Sequence, residues 1–336
     1  MTATTPTDPI TIAAAGGLSA TLSNFGARLI RLHAPDRGGV LADVVLGHDD
    51  MADYRTEHGY FGATCGRYAN RIAGGAFILD GQAVALDRNE GENHLHGGIR
   101  GFDKALWQIA SQGSDRVSFR LTSPAGDMGF PGALTALCSY RVEGLRLWIE
   151  MEATTTAPTM VNLAHHSYFN LGGPGAGDVL DHQLQLAATH YLPVDAAKLS
   201  TGAVLPVQGT AFDFTALRPI GERMPGPDGF DHCFCLAASL EPVAGVLLRH
   251  CATLCHPSNG RRLRIWTDQV GVQLYIAAHF DGSVPGKDGG RYGRFAGVAL
   301  ETQAFPDSPN RPQFPNTRLN PGEVYRHVML ADFIPL

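Results

Sequence analysis

The sequence predicts an all-β protein, a large antiparallel β-sandwich with few short helices. Three observations point that way. Apolar and polar residues alternate with period two in one stretch after another, sustained helical periodicity is missing, and 40 glycines and 21 prolines punctuate the 336 residues.

Taken in chain order, residues 50–58 are the one stretch that reads as a short helix. Next, 76–79 and 83–86 flank Asp80-Gly81, a pair suited to a type I′ hairpin because glycine adopts positive φ without steric cost. Val117, Phe119 and Leu121 alternate with polar residues along a strand. Leu145, Leu147, Ile149, Met151 and Ala153 then share one face while Arg146, Glu150 and Glu152 take the other, the pattern of a half-buried strand. Leu263, Ile265 and Thr267 repeat it, as do Val272, Leu274 and Ile276. No repeat of fixed period and no Ser/Gly-rich linker divides the chain, so residues 1–336 are expected to form one domain.

Composition narrows the function. Hydrophobic residues make up 44% and charged residues 17%, a globular balance. The formal charge of -6 comes from 26 basic and 32 acidic side chains without a Lys/Arg cluster, which argues against nucleic acid as a partner. No apolar run reaches bilayer length, and the start from Met1 to Pro9 has neither a basic leader nor a hydrophobic region, so no membrane partner and a cytoplasmic location are expected. Six cysteines, Cys233 and Cys235 among them on one face of a strand, read as buried free thiols.

Four segments carry possible chemistry. In GRYANRI, Asn70 and Arg71 place an amide beside a guanidinium, and both can hydrogen-bond hydroxyls. In NHLHGG, His94 and His96 share a face if the segment is extended, which invites a zinc site built with His166; yet no H-E-x-x-H or C-x-x-C pattern supplies further ligands. The other reading has His94 bracing a turn while His96, followed by two glycines that permit close approach, meets a ligand. In VNLAHHSYFNL, alternation sets His165 with Val161 and Leu163, and His166 with Asn162 and Ala164, so the two histidines have different tasks. An imidazole, with a pKa near ~6.5, both gives and accepts a proton at neutral pH. In GVALETQ, Glu301 lies opposite Val298 and Leu300; a carboxylate in such a strand either pairs with a cation or has a raised pKa suited to proton abstraction. Asp231 and Gln273 sit in similar settings.

GRYANRI, NHLHGG, GDMGFPG, HSYFNL, FDH, LETQ and LNPGEVY, in this order, resemble the aldose 1-epimerase (galactose mutarotase) family over nearly the whole chain. The resemblance implies the galactose mutarotase-like supersandwich, with a sugar in an open cleft on one sheet. It implies Glu301 as general base on the anomeric hydroxyl, His166 as general acid on the ring oxygen, and His96 close enough to assist. Asn70, Arg71, Asp231 and Gln273 would orient sugar oxygens. The implied substrate is a free aldose such as galactose, glucose or a pentose, and acid–base ring opening calls for no metal and no organic cofactor. Two departures stand out: His165 where the family commonly has Asn, and Ala277-Ala278-His279-Phe280 where a Gly-Asn pair is frequent, at the rim of the expected cleft. The alternative readings are a non-catalytic sugar-binding module and an epimerase of a modified or phosphorylated sugar. For the latter, the placement of Arg67, Arg294 and Arg311 is decisive.

Overall fold

The computed structural model describes residues 8–56 and 59–334. Most of the Met1-to-Pro9 start and the end of the expected 50–58 helix lie outside these. The molecule is built from antiparallel sheets, as the alternation requires, and the largest has ten strands. Its central run, in spatial order, is Arg116–Ser123, Leu134–Glu143, Arg146–Thr155, Tyr325–Phe333, Arg262–Thr267 and Val246–Cys255. Within Arg146–Thr155, Leu147, Ile149, Met151 and Ala153 are buried while Glu150 and Glu152 stay half-exposed. Trp148 breaks the pattern. It lies on the outer face but is buried there against Leu248, Trp266 and Leu330.

The inner face of this sheet packs on a six-stranded one, ordered Tyr168–Phe169, Val298–Gln303, Gly271–Tyr275, Asp231–Leu236, Ala188–Leu192 and Leu205–Pro206. Phe234, Val272, Leu274, Val298 and Leu300 share one core with Phe119, Tyr140, Ile149, Ile265 and Met329 of the larger sheet. A four-stranded sheet running from Ile10–Ala13 to Leu41–Asp43 adds Leu22, Leu29 and Leu32 to the same core. This is the predicted sandwich.

Successive side chains of a strand point to opposite faces, so the residues between these core positions look outward from the six-stranded sheet. Register brings Cys233 beside Gln273 and Gln273 beside Glu301, and sets Asp231, Tyr275 and Ala299 in the adjoining outward row. That face is the floor of the site.

The one α-helix among the described residues is Asp53–Thr56, shorter than the stretch expected. Asp50 explains its late start, because its side chain accepts the Ala52 N–H (2.8 Å) and its carbonyl the Asp53 N–H, a turn that competes with helix. The Asp80-Gly81 turn has φ of 51° and 77°, as a type I′ hairpin demands, between Ala76–Leu79 and Gln82–Ala85. All six cysteines are free thiols, and only Cys235 is half-exposed. No helix among the described residues is long and apolar enough to cross a membrane.

Candidate active site

Several motif residues turn out to be scaffold. Asn162 donates from Nδ2 to Ala69 O (3.0 Å) and accepts the Ala304 N–H at Oδ1 (3.0 Å), joining three segments. Arg67 is buried and donates to Ser123 Oγ and to the carbonyls of Ser123, Pro124, Pro131 and Gly132, which ties down the GDMGFPG loop. Tyr325 accepts the Leu163 N–H at its hydroxyl (3.0 Å). Gly97 has to be glycine: a Cβ there would sit 1.7 Å from Gly66 O, so no side chain fits between the GRYANRI and NHLHGG segments.

Held this way, all seven residues singled out in the sequence, Asn70, Arg71, His96, His166, Asp231, Gln273 and Glu301, line one open cleft of about 460 Å³. His166 Nε2 lies 3.5 Å from Glu301 Oε1, both side chains almost wholly buried. Burial pushes Glu301 up to about 8, with the Asp231 charge adding to the rise and Arg71 opposing it. Burial pushes His166 down to about 4. At neutral pH the pair therefore holds one proton and no net charge. Glu301 Oε2 and Gln273 Oε1 are buried without a protein hydrogen-bond partner. Orphaned polar atoms are costly in a folded protein, and here they mark positions kept for a ligand.

The remaining groups form a belt around this pair. Gln273 donates from Nε2 to Asp231 Oδ1 (2.6 Å). Arg71 donates twice to Glu90 (2.6 and 2.7 Å) and reaches to 3.7 Å from Asp231 Oδ2. Asn70 and His96 are locked to each other, since the Asn70 N–H donates to His96 Nδ1 (3.2 Å) and the His96 N–H to Asn70 O (3.2 Å). Nδ1 being the acceptor, the ring hydrogen is on Nε2. His96 is held well below its usual pKa, first by burial and then by the His166 and Arg71 charges, so it stays neutral.

The same-face reading of His94 and His96 is corrected. His96 has φ of 50°, just past the His94–Leu95 strand, and the two rings part. His94 donates from Nδ1 to Asp87 O (2.7 Å) and packs edge-on against Phe130, the turn-bracing role. Side-chain donor atoms of His96, His166 and Glu301 do converge within 4.8 Å of one another. However, a metal ligand offers a lone pair, and His96 presents an N–H to the cleft.

His165 points away from the cleft, as alternation predicted. The Tyr140 hydroxyl is committed as donor to Ala27 O (2.7 Å), so His165 Nδ1–H donates to it (3.3 Å) and Ser167 Oγ donates to Nε2 (2.6 Å). Burial holds His165 down to about 3, a neutral brace behind His166.

Tyr60, Glu90 and Lys198 are among the lining residues that sequence reasoning missed. Tyr60 packs at a tilt against both histidines, with ring centroids 4.7 Å from His96 and 5.6 Å from His166. Glu90 clamps Arg71; its place in NEGENHLHGG, beside the histidine motif, was the available signal. Lys198 comes from a loop without periodicity and gave none. At the rim, Ala278 and His279 line the cleft, and His279 stacks on Tyr275 at 5.7 Å. Arg67, Arg294 and Arg311 do not line it.

A galactose mutarotase of Rattus norvegicus is 43% identical to this chain over 320 residues, 94% of this chain and 91% of the relative. An aldose 1-epimerase of Escherichia coli (strain K12) is 36% identical over 327 residues, 95% and 92% of the two chains. A solved aldose epimerase homologue from C. elegans superposes with a TM-score of 0.91 at 30% identity, covering 98% of this chain and 99% of that one. Fold, cleft and relatives together define an isomerase of carbohydrate metabolism. A family model described as aldose 1-epimerase matches residues 8–332, and the chain belongs to that family.

Proposed function

We propose that the protein interconverts the α and β anomers of a free aldose by opening and reclosing the sugar ring, with Glu301 and His166 as the acid–base pair. The observation that carries this reading is the buried His166–Glu301 contact of 3.5 Å at the floor of an open polar cleft. Glu301 as carboxylate takes the proton from the C1 hydroxyl while His166 as imidazolium gives one to the ring oxygen. The C1–O5 bond breaks and C1=O forms. The aldehyde turns about C1–C2, and closure on the other face returns both protons: Glu301 protonates the carbonyl oxygen as His166 accepts from the C5 hydroxyl. Atoms and charges balance within the pair.

Burial favours the tautomer with the proton on Glu301, which is the state left after ring opening. The Arg71 charge pulls the other way and favours the carboxylate that starts it. Each positioned proton-transfer group contributes about 10²- to 10⁴-fold in rate. His96 would assist as a donor through Nε2–H, and Asn70, Arg71, Asp231 and Gln273 would bind sugar hydroxyls. The whole chain, 1–336, would act as one domain on a hexose or pentose in the cytoplasm.

Charge in the cleft favours a neutral sugar over a phosphorylated one. Three acids, Glu90, Asp228 and Asp231, line it against two cations, Arg71 and Lys198, and Arg71 is already bound to two of the acids. A non-catalytic binding module would use the unpartnered Oε2 as an acceptor but has no use for a buried imidazole 3.5 Å from the same carboxyl. Polarimetry of freshly dissolved α-galactose, α-glucose and α-xylose tests the reading, with faster approach to anomeric equilibrium expected. No acceleration on any of the three refutes it.

A further inference from the structure

The acid–base pair stands on one strand of the cleft floor, and the opposite end is made by a residue that the chemistry above leaves without a task. Across the sheet, Glu301, Gln273, Cys233 and Leu192 lie in register on four adjacent strands. With strands about 4.8 Å apart, Leu192 is roughly 14 Å from Glu301. The chain then makes a tight turn closed by the Val194–Ser200 bridge. Asp195 holds that turn: its Oδ1 accepts the N–H groups of Ala197 (2.8 Å) and Leu199 (3.0 Å), and its carbonyl accepts that of Lys198 (3.0 Å). Lys198 is thereby fixed at φ of 60° and faces the cleft it lines.

Its ammonium stands apart from the other charges. Lys198 is half-buried, its charge acts on His232 beside Asp231, and among the described residues it has no ion pair and no side-chain hydrogen bond. Arg71, the other cation lining the cleft, is bound to Glu90 and Asp231. Asp228 on the rim lies 3.5 Å from Arg294.

We propose that Lys198 Nζ forms a distal subsite that donates a hydrogen bond to the sugar oxygen on C4. The inference rests on the ring-opening reading, which fixes C1 and the ring oxygen over Glu301 and His166. A pyranose pinned there lays its long axis, from the C1 oxygen to the C4 oxygen, across Gln273 and Asp231 towards the Lys198 turn. Lys198 lines the same cleft, and its flexible four-carbon stem gives Nζ the reach to approach that oxygen. A charged donor to a neutral oxygen gives one of the stronger hydrogen bonds, offset by the ordering of a long flexible side chain, so about tenfold in affinity is expected.

The test uses glucose, galactose and 4-deoxy-D-xylo-hexose, the single deoxy sugar that both hexoses become when the C4 oxygen is removed. In Lys198→Met, KM for whichever hexose the wild type handles better should rise about tenfold with kcat little changed. The deoxy sugar should be turned over equally by both proteins, which also reports that the variant is folded. Lys198→Arg should restore part of the loss. Equal loss on the hexose and the deoxy sugar, or loss on neither, overturns the subsite while leaving the reaction intact. A wild-type protein that accelerates none of the three overturns the reaction, and the subsite with it.

Discussion

Glu301→Gln should leave a protein that is nearly inactive and more stable than the wild type. Burial raises Glu301 from 4.5 to about 8. At pH 7 the folded protein keeps this proton while the unfolded chain releases it. A gap of about 2.5 pH units at about 1.4 kcal/mol each disfavours the fold by roughly 3 kcal/mol. Glutamine has nearly the same shape and does not titrate, so it escapes that term. The sign follows from the direction of the shift: for a carboxyl raised on folding, stability is fully present below 4.5 and lost as pH rises through 8. The advantage of glutamine is therefore absent near pH 4.5, is roughly 3 kcal/mol at pH 7, and levels off above pH 8. Thermal unfolding of both proteins at pH 5, 7 and 8 reads this directly. For a chain of this size about 1.4 °C per kcal/mol is expected, so the gap in Tm should open from about 1 °C at pH 5 to about 6 °C at pH 8. Polarimetry on the same samples should show a loss of about 10²- to 10⁴-fold. A Tm difference that does not change with pH, or a variant less stable than wild type at pH 8, would refute the account of a carboxyl kept protonated by burial.

Wild-type kcat/KM should trace a bell against pH, because the His166–Glu301 pair needs one proton: it fails below about 4, where both groups are protonated, and above about 8, where both have lost their proton. A rate undiminished at pH 10, after subtraction of the buffer reaction, would contradict it. Glu90→Gln removes the charge that holds Arg71 at 2.6 Å and should raise KM for galactose by about tenfold with a smaller change in kcat; steady-state kinetics separates the two. Lys287 is fully buried, with Nζ bonded to Asp43 Oδ2 (2.6 Å) and Val45 O (2.7 Å), so Lys287→Met should destabilise the fold by about 3 kcal/mol in urea titration. The low end of the range for breaking a buried pair is expected because Asp43 keeps Arg31 at 3.7 Å and the Leu32 and Val45 N–H groups.

The faces that Glu301 and Gln273 occupy were legible in the sequence. Val298 and Leu300 mark the inward side of one strand and Val272 and Leu274 that of another, so Glu301 and Gln273 had to look outward. That the two stand side by side was not legible, since register between strands is settled by packing over the whole sheet. Alternation also failed where the backbone leaves the extended region. His96 turns left-handed to let the NHLHGG segment approach Gly66, so its ring parts from that of His94. Trp148 sits on a face that reads as solvent-exposed but is covered by residues around the Val246–Cys255 strand, which no local pattern reveals. Tyr60 and Lys198 come from irregular turns, where periodicity carries no information.

The fold contributes to the chemistry by reversing an order of acidities. In water a glutamic acid gives up its proton well before a histidine does, and at pH 7 the carboxyl would always be ionised. On this floor burial lifts Glu301 to about 8 and lowers His166 to about 4, so the proton belongs to the carboxyl until something in the cleft favours charge separation. Arg71 and the hydroxyls of a bound sugar are suited to do that, because they meet the carboxylate and imidazolium with opposite charge and with hydrogen bonds. Neither neighbouring histidine competes for the proton. His165 is already bonded at both nitrogens, and His96 presents an N–H with its lone pair turned to Asn70. One proton confined between two groups, each made a poor ion by the same burial, is what a reaction needs when it must be run in both directions by exchanging acid and base.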